Sequence, residues 1–338
     1  MRTEEELELK LSTPSERLIQ DMANIDGDII ILGVGGKMGP SLAQLAVNAV
    51  KRAGIKKKVI GVSRFSEKGM REFLESKGVE TIAIDLLNQE EMNSLPDVKN
   101  VIYMAGKKFG TTGNEHFTWA INTYLPGMVG EKFQNSRIVV FSSGNIYPFV
   151  PIGSGGASEN TPPEPLGEYA QSCLGRERIF QYTSHKFQIP MLMYRLNYAI
   201  DMHYGNLLEV GKMVHEEKEI DLTNGHMNVV WQGDANEVAL RSLLYCEVPA
   251  KILNVTGPET ISIRWVAGEF GEIFGKKPKF INQEAPNALL SNAALCNRLF
   301  GYPSVTLKEM IEMTAEWVMY GGKTSNKPTH FQERSGNY

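Results

Sequence analysis

The stretch Gly33-Val34-Gly35-Gly36-Lys37-Met38-Gly39 is the first pattern in this chain that can do chemistry. Gly33, Gly36 and Gly39 fit the spacing Gly-x-x-Gly-x-x-Gly. Such a turn needs residues that tolerate positive φ and leave room for a pyrophosphate, and the helix after it adds free amides and a positive dipole end. A glycine triplet alone is equally a tight turn. Here it follows the apolar run Asp28-Ile29-Ile30-Ile31-Leu32 and precedes a helical pattern over residues 41–52, the context expected of a dinucleotide-binding turn. Lys37 and Met38 lie inside the turn, and Lys37 adds a cation to the same anion site. The next apolar run ends in Ser63-Arg64, where an acidic residue would meet an adenosine ribose and repel a 2′-phosphate. A hydroxyl and a guanidinium suit that phosphate instead, so NADP is the expected cofactor, with NAD the alternative. Asp85, followed by Leu86 at the end of a third run, is placed either to meet the adenine amino group or to cap the next helix.

These residues need a scaffold that brings strand ends together. Short apolar runs recur at residues 58–62, 80–84, 100–104 and 137–141, separated by helical stretches near 67–77, 89–95 and 114–135. Continuous hydrophobicity marks strands buried on both faces, and strand–helix alternation predicts an α/β fold of the Rossmann type, a doubly wound parallel sheet. A smaller C-terminal substrate-binding lobe is expected beside it. The division read from the pattern is a helical extension over 1–27, a dinucleotide-binding domain over 28–190, a mixed lobe with returning sheet strands over 191–322, and a polar tail over 323–338. One amphipathic helix is expected over 12–24, capped by Ser15 with Leu18, Ile19 and Met22 on its apolar face. Residues 148–167 are rich in Pro, Gly and Ser and form a long loop of the kind that carries function.

Composition narrows the function classes. The chain has 338 residues and a formal net charge of -4, which gives no electrostatic footprint for nucleic acid or an anionic membrane. Its three cysteines, Cys173, Cys246 and Cys296, are far apart and include no Cys-x-x-Cys, which suits a reducing compartment. The acidic N-terminus lacks the apolar segment of a signal peptide, and no run approaches the ~18 residues of a membrane span. A cytoplasmic location is the expectation. Six histidines without a His-Glu-x-x-His spacing suggest no metal site.

Further along, Val101-Ile102-Tyr103-Met104-Ala105-Gly106, Asn122, Phe141-Ser142-Ser143-Gly144-Asn145-Ile146-Tyr147, the run from Asn160 to Tyr169, Arg195-Leu196-Asn197-Tyr198 and Leu253-Asn254-Val255-Thr256-Gly257 follow one another in order. Together they resemble the extended short-chain dehydrogenases of the NAD(P)-dependent epimerase/dehydratase family, over roughly residues 28–320. The resemblance implies that Tyr169 is the acid/base at the substrate hydroxyl and that Ser143 holds the substrate oxygen. It further implies that Ala105, Gly106 and Asn122 face the cofactor and that Lys107, Asn145 and Asn197 stand near the substrate. A homodimer formed through the Asn122 and Tyr169 helices is implied as well.

The departures from the family are as informative. Its catalytic tyrosine is followed four residues later by a lysine that binds the nicotinamide ribose and lowers the tyrosine pKa; here that position is Cys173. A cation ~5 Å from a phenolate contributes on the order of 3 kcal/mol at an effective dielectric near 20, or about 2 pKa units. Losing it costs on the order of 100-fold at neutral pH through a smaller tyrosinate fraction. Arg176 and Lys107 are the substitutes in sequence. The family's dehydratases carry an Asp-Glu pair where this chain has Gly144-Asn145, and nucleotide-sugar enzymes carry a diphosphate-binding arginine that the stretch from Gly225 to Asp234 lacks. A small polyol, sugar or sugar acid is therefore the expected substrate, handled by an oxidoreductase or epimerase. The other reading is a non-catalytic NAD(P)-binding sensor that no longer needs the lysine.

Overall fold

A computed structural model describes residues 1–108 and 110–336. Seven strands, β1 (Ile29–Leu32), β2 (Val59–Ser63), β3 (Glu80–Ala83), β4 (Asn100–Tyr103), β5 (Arg137–Ser143), β6 (Met191–Leu196) and β7 (Lys251–Val255), form one sheet in the order β7-β6-β5-β4-β1-β2-β3. Every pairing in it is parallel. The expected doubly wound fold is thus present, and its strand order reverses between β1 and β4, the point at which such sheets open a crevice at their C-terminal ends.

The apolar runs read as they do because both faces of the sheet are covered. In β1 all four residues are buried, yet they serve different cores. Ile29 and Ile31 pack with Leu18, Met22, Leu42 and Ala46 on one side. Ile30 and Leu32 pack with Tyr103, Met128 and Phe180 on the other. A third core, with Trp231, Phe270 and Trp317, belongs to the elements beyond β6 and is joined by Leu7 and Leu11 from the N-terminus.

Two expectations are corrected here. The helix expected over 12–24 begins only at Glu16, as Glu16–Asn24, and a separate helix, Glu4–Ser12, precedes it. Pro14 pushes Thr13 into an extended conformation, φ -84° and ψ 113°, which ends the first helix. Ser15 then caps the second as expected, accepting from the Leu18 amide. The C-terminal stretch is the other correction: beyond residue 322 there is neither helix nor strand among the described residues, but the segment is packed, with Phe331 only 2 % exposed in the third core. Among the described residues no helix is long and apolar enough to cross a membrane, and no group of three or more His, Cys, Asp or Glu is placed to hold a metal.

Candidate active site

The glycine turn runs from the end of β1 into the helix Gly39–Arg52, which opens with a proline in its first turn. Each of its three glycines has a separate reason. Gly33 has φ +89°, and a Cβ there would lie 2.7 Å from the Ala105 backbone. A Cβ on Gly39 would lie 2.0 Å from the Val34 carbonyl oxygen, so helix and strand meet only through glycine. At Gly36 the nearest atom to such a Cβ is 3.4 Å away, which leaves that side open for a ligand to approach the backbone. The turn therefore fits a dinucleotide pyrophosphate. Met38 is buried beneath it.

Lys37 has a duty that its sequence position does not suggest. Its ammonium donates to the carbonyls of Ala199 at 2.9 Å and Tyr204 at 3.3 Å, tying the turn to the opposite wall of the crevice. At the adenosine end, Ser63 is half-buried under the turn, accepting from the Phe65 amide at 3.3 Å. Arg64 is exposed and makes no hydrogen bond or ion pair with the described residues. Asp85 accepts from the Leu87 amide at 3.0 Å, closing the turn ahead of the next helix, while Leu86 is buried behind it. The cap of that helix is Asn88, which accepts from the Glu90 and Glu91 amides, so capping is not the role of Asp85.

At the reacting end a cleft of about 300 Å³ brings Gly33, Gly36, Lys37 and Met38 together with Ser143, Asn145, Tyr169 and Asn197. The two serines at the end of β5 divide their work by strand alternation. Ser142 turns inward and donates to Glu177 at 2.6 Å, in a buried chain that continues through Arg195 to Tyr147 and Asn254. Ser143 turns to the cleft, where Tyr169, at the start of the helix Gly167–Phe187, is hydrogen-bonded with it and with Cys173. Burial holds the Tyr169 hydroxyl well above its ordinary pKa, and the Cys173 sulfur reinforces this; the Arg176 guanidinium and the Ser143 hydrogen bond pull the other way. Cys173 itself is fully buried, and burial keeps it a neutral thiol.

Arg176, two helical turns beyond Tyr169, is a buried cation whose charge acts on the tyrosine. It donates to the Phe141 carbonyl at 2.8 Å and to Asn122 at 2.7 Å, and its Nε has no hydrogen-bond partner among the described residues. Gly106 is glycine because a Cβ there would come within 2.7 Å of this guanidinium.

Two expected site residues have other duties. Asn122 lies fully buried in a π-helical turn, Ala120–Tyr124, a widening that sequence periodicity does not reveal. Its side chain bonds the Lys107 amide and carbonyl, Ser172 and Arg176, so it clasps the loop after β4 to the Tyr169 helix and has no atom left for a cofactor. Lys107 points away, its ammonium 4.7 Å from the Phe117 ring centre. The neighbouring Lys108 takes its place in the cleft wall, 5.7 Å from the Tyr169 ring centre. Burial, with help from the charge on Lys37, pushes the Lys108 pKa down to about 8. Sequence reasoning misses Lys108 and Glu177. Lys108 is hidden by adjacency, since the direction of a loop side chain is not encoded in spacing.

No family model matches this chain, and no curated protein matches it by sequence. Solved structures do. UDP-glucose 4-epimerase of Thermus thermophilus in complex with NAD is 21% identical, with 86% of this chain and 98% of that chain covered and a TM-score of 0.67. UDP-glucuronic acid 4-epimerase of Bacillus cereus in complex with NAD is 18% identical, with 88% and 100% covered and a TM-score of 0.69. An epimerase of Methanothermobacter thermautotrophicus is 17% identical, with 91% and 96% covered and a TM-score of 0.70. The chain has the fold of these epimerases over nearly its whole length, so the resemblance drawn from the Ser143 and Tyr169 segments holds at the level of architecture.

Proposed function

We propose that this chain is an NAD(P)-dependent oxidoreductase or epimerase acting at a secondary alcohol or carbonyl of a sugar-like small molecule. The observation that carries the reading is the meeting of Ser143 and Tyr169 in the same cleft as a glycine turn built for a pyrophosphate. Solved structures of the same fold are epimerases of UDP-glucose and UDP-glucuronic acid and bind NAD. The dinucleotide supplies the hydride donor or acceptor. Tyr169 takes the proton as the substrate O–H bond breaks, or returns it in reduction, and Ser143 holds the substrate oxygen by a hydrogen bond. Arg176 and Lys108 supply the positive field around Tyr169. Tyr124 and Tyr182, 64% and 59% exposed on the Asn122 and Tyr169 helices, support a homodimer through those helices.

The cofactor is tested by titrating purified protein with NADP and NAD. A free guanidinium at the end of β2 suits a 2′-phosphate, and hydrogen bonds to charged groups contribute about 1.5–3 kcal/mol. Arg64→Ala is therefore expected to raise the Kd for NADP roughly tenfold or more while leaving that for NAD nearly unchanged. Equal loss for both would remove Arg64 from phosphate recognition, and no binding of either dinucleotide would refute the function itself.

The high proton affinity of Tyr169 sets the pH behaviour. A base whose pKa is raised is mostly protonated at neutral pH, so oxidation of the alcohol should accelerate steadily into the alkaline range. Cys173→Lys places a cation one turn from Tyr169 and should move the acidic limb of the pH–rate profile down by about 1–2 units. A profile left where it was would mean that Tyr169 is not the base. The absence of lysine at 173 also favours one other reading, a dinucleotide-binding sensor without turnover, which predicts binding of NADP or NAD with no Tyr169-dependent chemistry on any sugar or polyol.

A further inference from the structure

We propose that the C-terminal segment, residues 325–336, is the specificity-determining wall of the cleft, and that it restricts the substrate to a free polyol, sugar or sugar acid with no nucleotide attached. This rests on the reading of the cleft given above and goes further by naming the segment that sets the substrate class. Thr329 lines the same cleft as Ser143 and Tyr169. That wall is held at both ends and in the middle. The Ser325 amide donates to the His203 carbonyl at 2.9 Å, and the Thr329 amide to Glu209 at 2.8 Å. Phe331 is driven into the core of the lobe while Asn224 donates to its carbonyl at 2.6 Å. Arg334 bonds Asn224 and both oxygens of Asn287, and its guanidinium carbon lies 4.2 Å from the Phe149 ring centre.

The far end touches the catalytic helix. Gly167 and Gly336 face one another backbone to backbone, with φ +79° and +83°; a Cβ on Gly167 would lie 2.2 Å from the Gly336 carbonyl oxygen. The segment thus runs as a strap from the lobe's core, past the cleft, to the first residue of the helix that carries Tyr169. Of its residues, Thr329 is the one that lines the cleft, whose volume is about 300 Å³. Ligand sites span about 300–1,000 Å³, so this one is at the small end while having to admit the reactive end of a dinucleotide as well. What remains suits one ring or a short open chain.

The test compares the full chain with a variant ending at residue 324 and with Arg334→Ala, which unpins the strap but leaves Phe331 seated should the truncation fail to fold. UDP-glucose is the nucleotide-linked probe in calorimetric binding, and free hexoses, polyols and hexuronic acids are the small probes in dinucleotide-coupled turnover. The full chain should bind no UDP-glucose, and loosening the strap should strengthen UDP-glucose binding at least tenfold while raising KM for the small substrate with a lesser effect on kcat. UDP-glucose binding by the full chain, or unchanged binding and KM in both variants, would overturn the proposal. Titration with NADP on the same samples separates this from the reading beneath it: the strap can fail with dinucleotide binding intact, whereas loss of dinucleotide binding by the full chain refutes the function.

Discussion

Tyr169→Phe is expected to lower turnover by about 10²–10⁴-fold, the range for loss of a positioned acid/base, while leaving the Kd for NADP within a few-fold of its original value. The substitution removes one oxygen from a side chain already packed in the cleft wall, so folding and cofactor binding have little reason to change. What disappears is the group bonded to Ser143 and Cys173 that receives the substrate proton. A drop of 10³ corresponds to about 4 kcal/mol of transition-state stabilisation. Steady-state kinetics beside a binding titration separate the two effects. Full activity in the phenylalanine variant would refute Tyr169 as acid/base, whatever the cofactor does.

The second large effect falls on stability. Arg195→Met should destabilise the chain by about 3–5 kcal/mol, because it leaves a buried carboxylate without its cation. The side chains of Arg195 and Glu177 are 2 % and 0 % exposed and meet in a bidentate pair, at 2.9 Å and 2.7 Å. Glu177 also accepts from Ser142, and Arg195 donates to Tyr147 at 2.6 Å, so one substitution loosens β5, β6, the Tyr169 helix and the root of the 148–167 loop. Replacing both charges together, Glu177→Gln with Arg195→Met, should cost less than the single change, since no unpaired ion remains. Denaturant midpoints at constant slope measure both; a single variant as stable as the parent would show that water reaches Glu177.

The same network shows how far the sequence can be read. Ser142 and Ser143 are adjacent and alike in type, and it is the resemblance to a known family that singles out Ser143; strand alternation then sends Ser142 to Glu177. Gly33 and Gly39 are legible because each meets backbone at the end of β4 or a few residues away in the chain, and Gly36 because its spacing completes the turn. The break at Pro14 is passed over, because the apolar spacing of Leu18, Ile19 and Met22 points to one helix. Asn122 and Lys107 are placed by resemblance. Their side chains are directed by a π-helical turn and by Phe117, neither of which leaves a periodic trace.

By itself the sequence determined the sheet, the glycine turn and the absence of the helix lysine, because these depend on residue type at fixed local spacing, whereas Ser143 and Tyr169 are matched by resemblance to a family. Only the tertiary structure decided which cations stand near Tyr169 and that the C-terminal segment reaches the cleft. Arg176 acts from the same helix while bonded to Asn122, Lys108 comes from a loop, and Thr329 from a stretch whose polarity made it look like a loose tail. Contacts between distant segments follow from packing: Phe331 is buried because the lobe has a place for it, and no count along the chain says so.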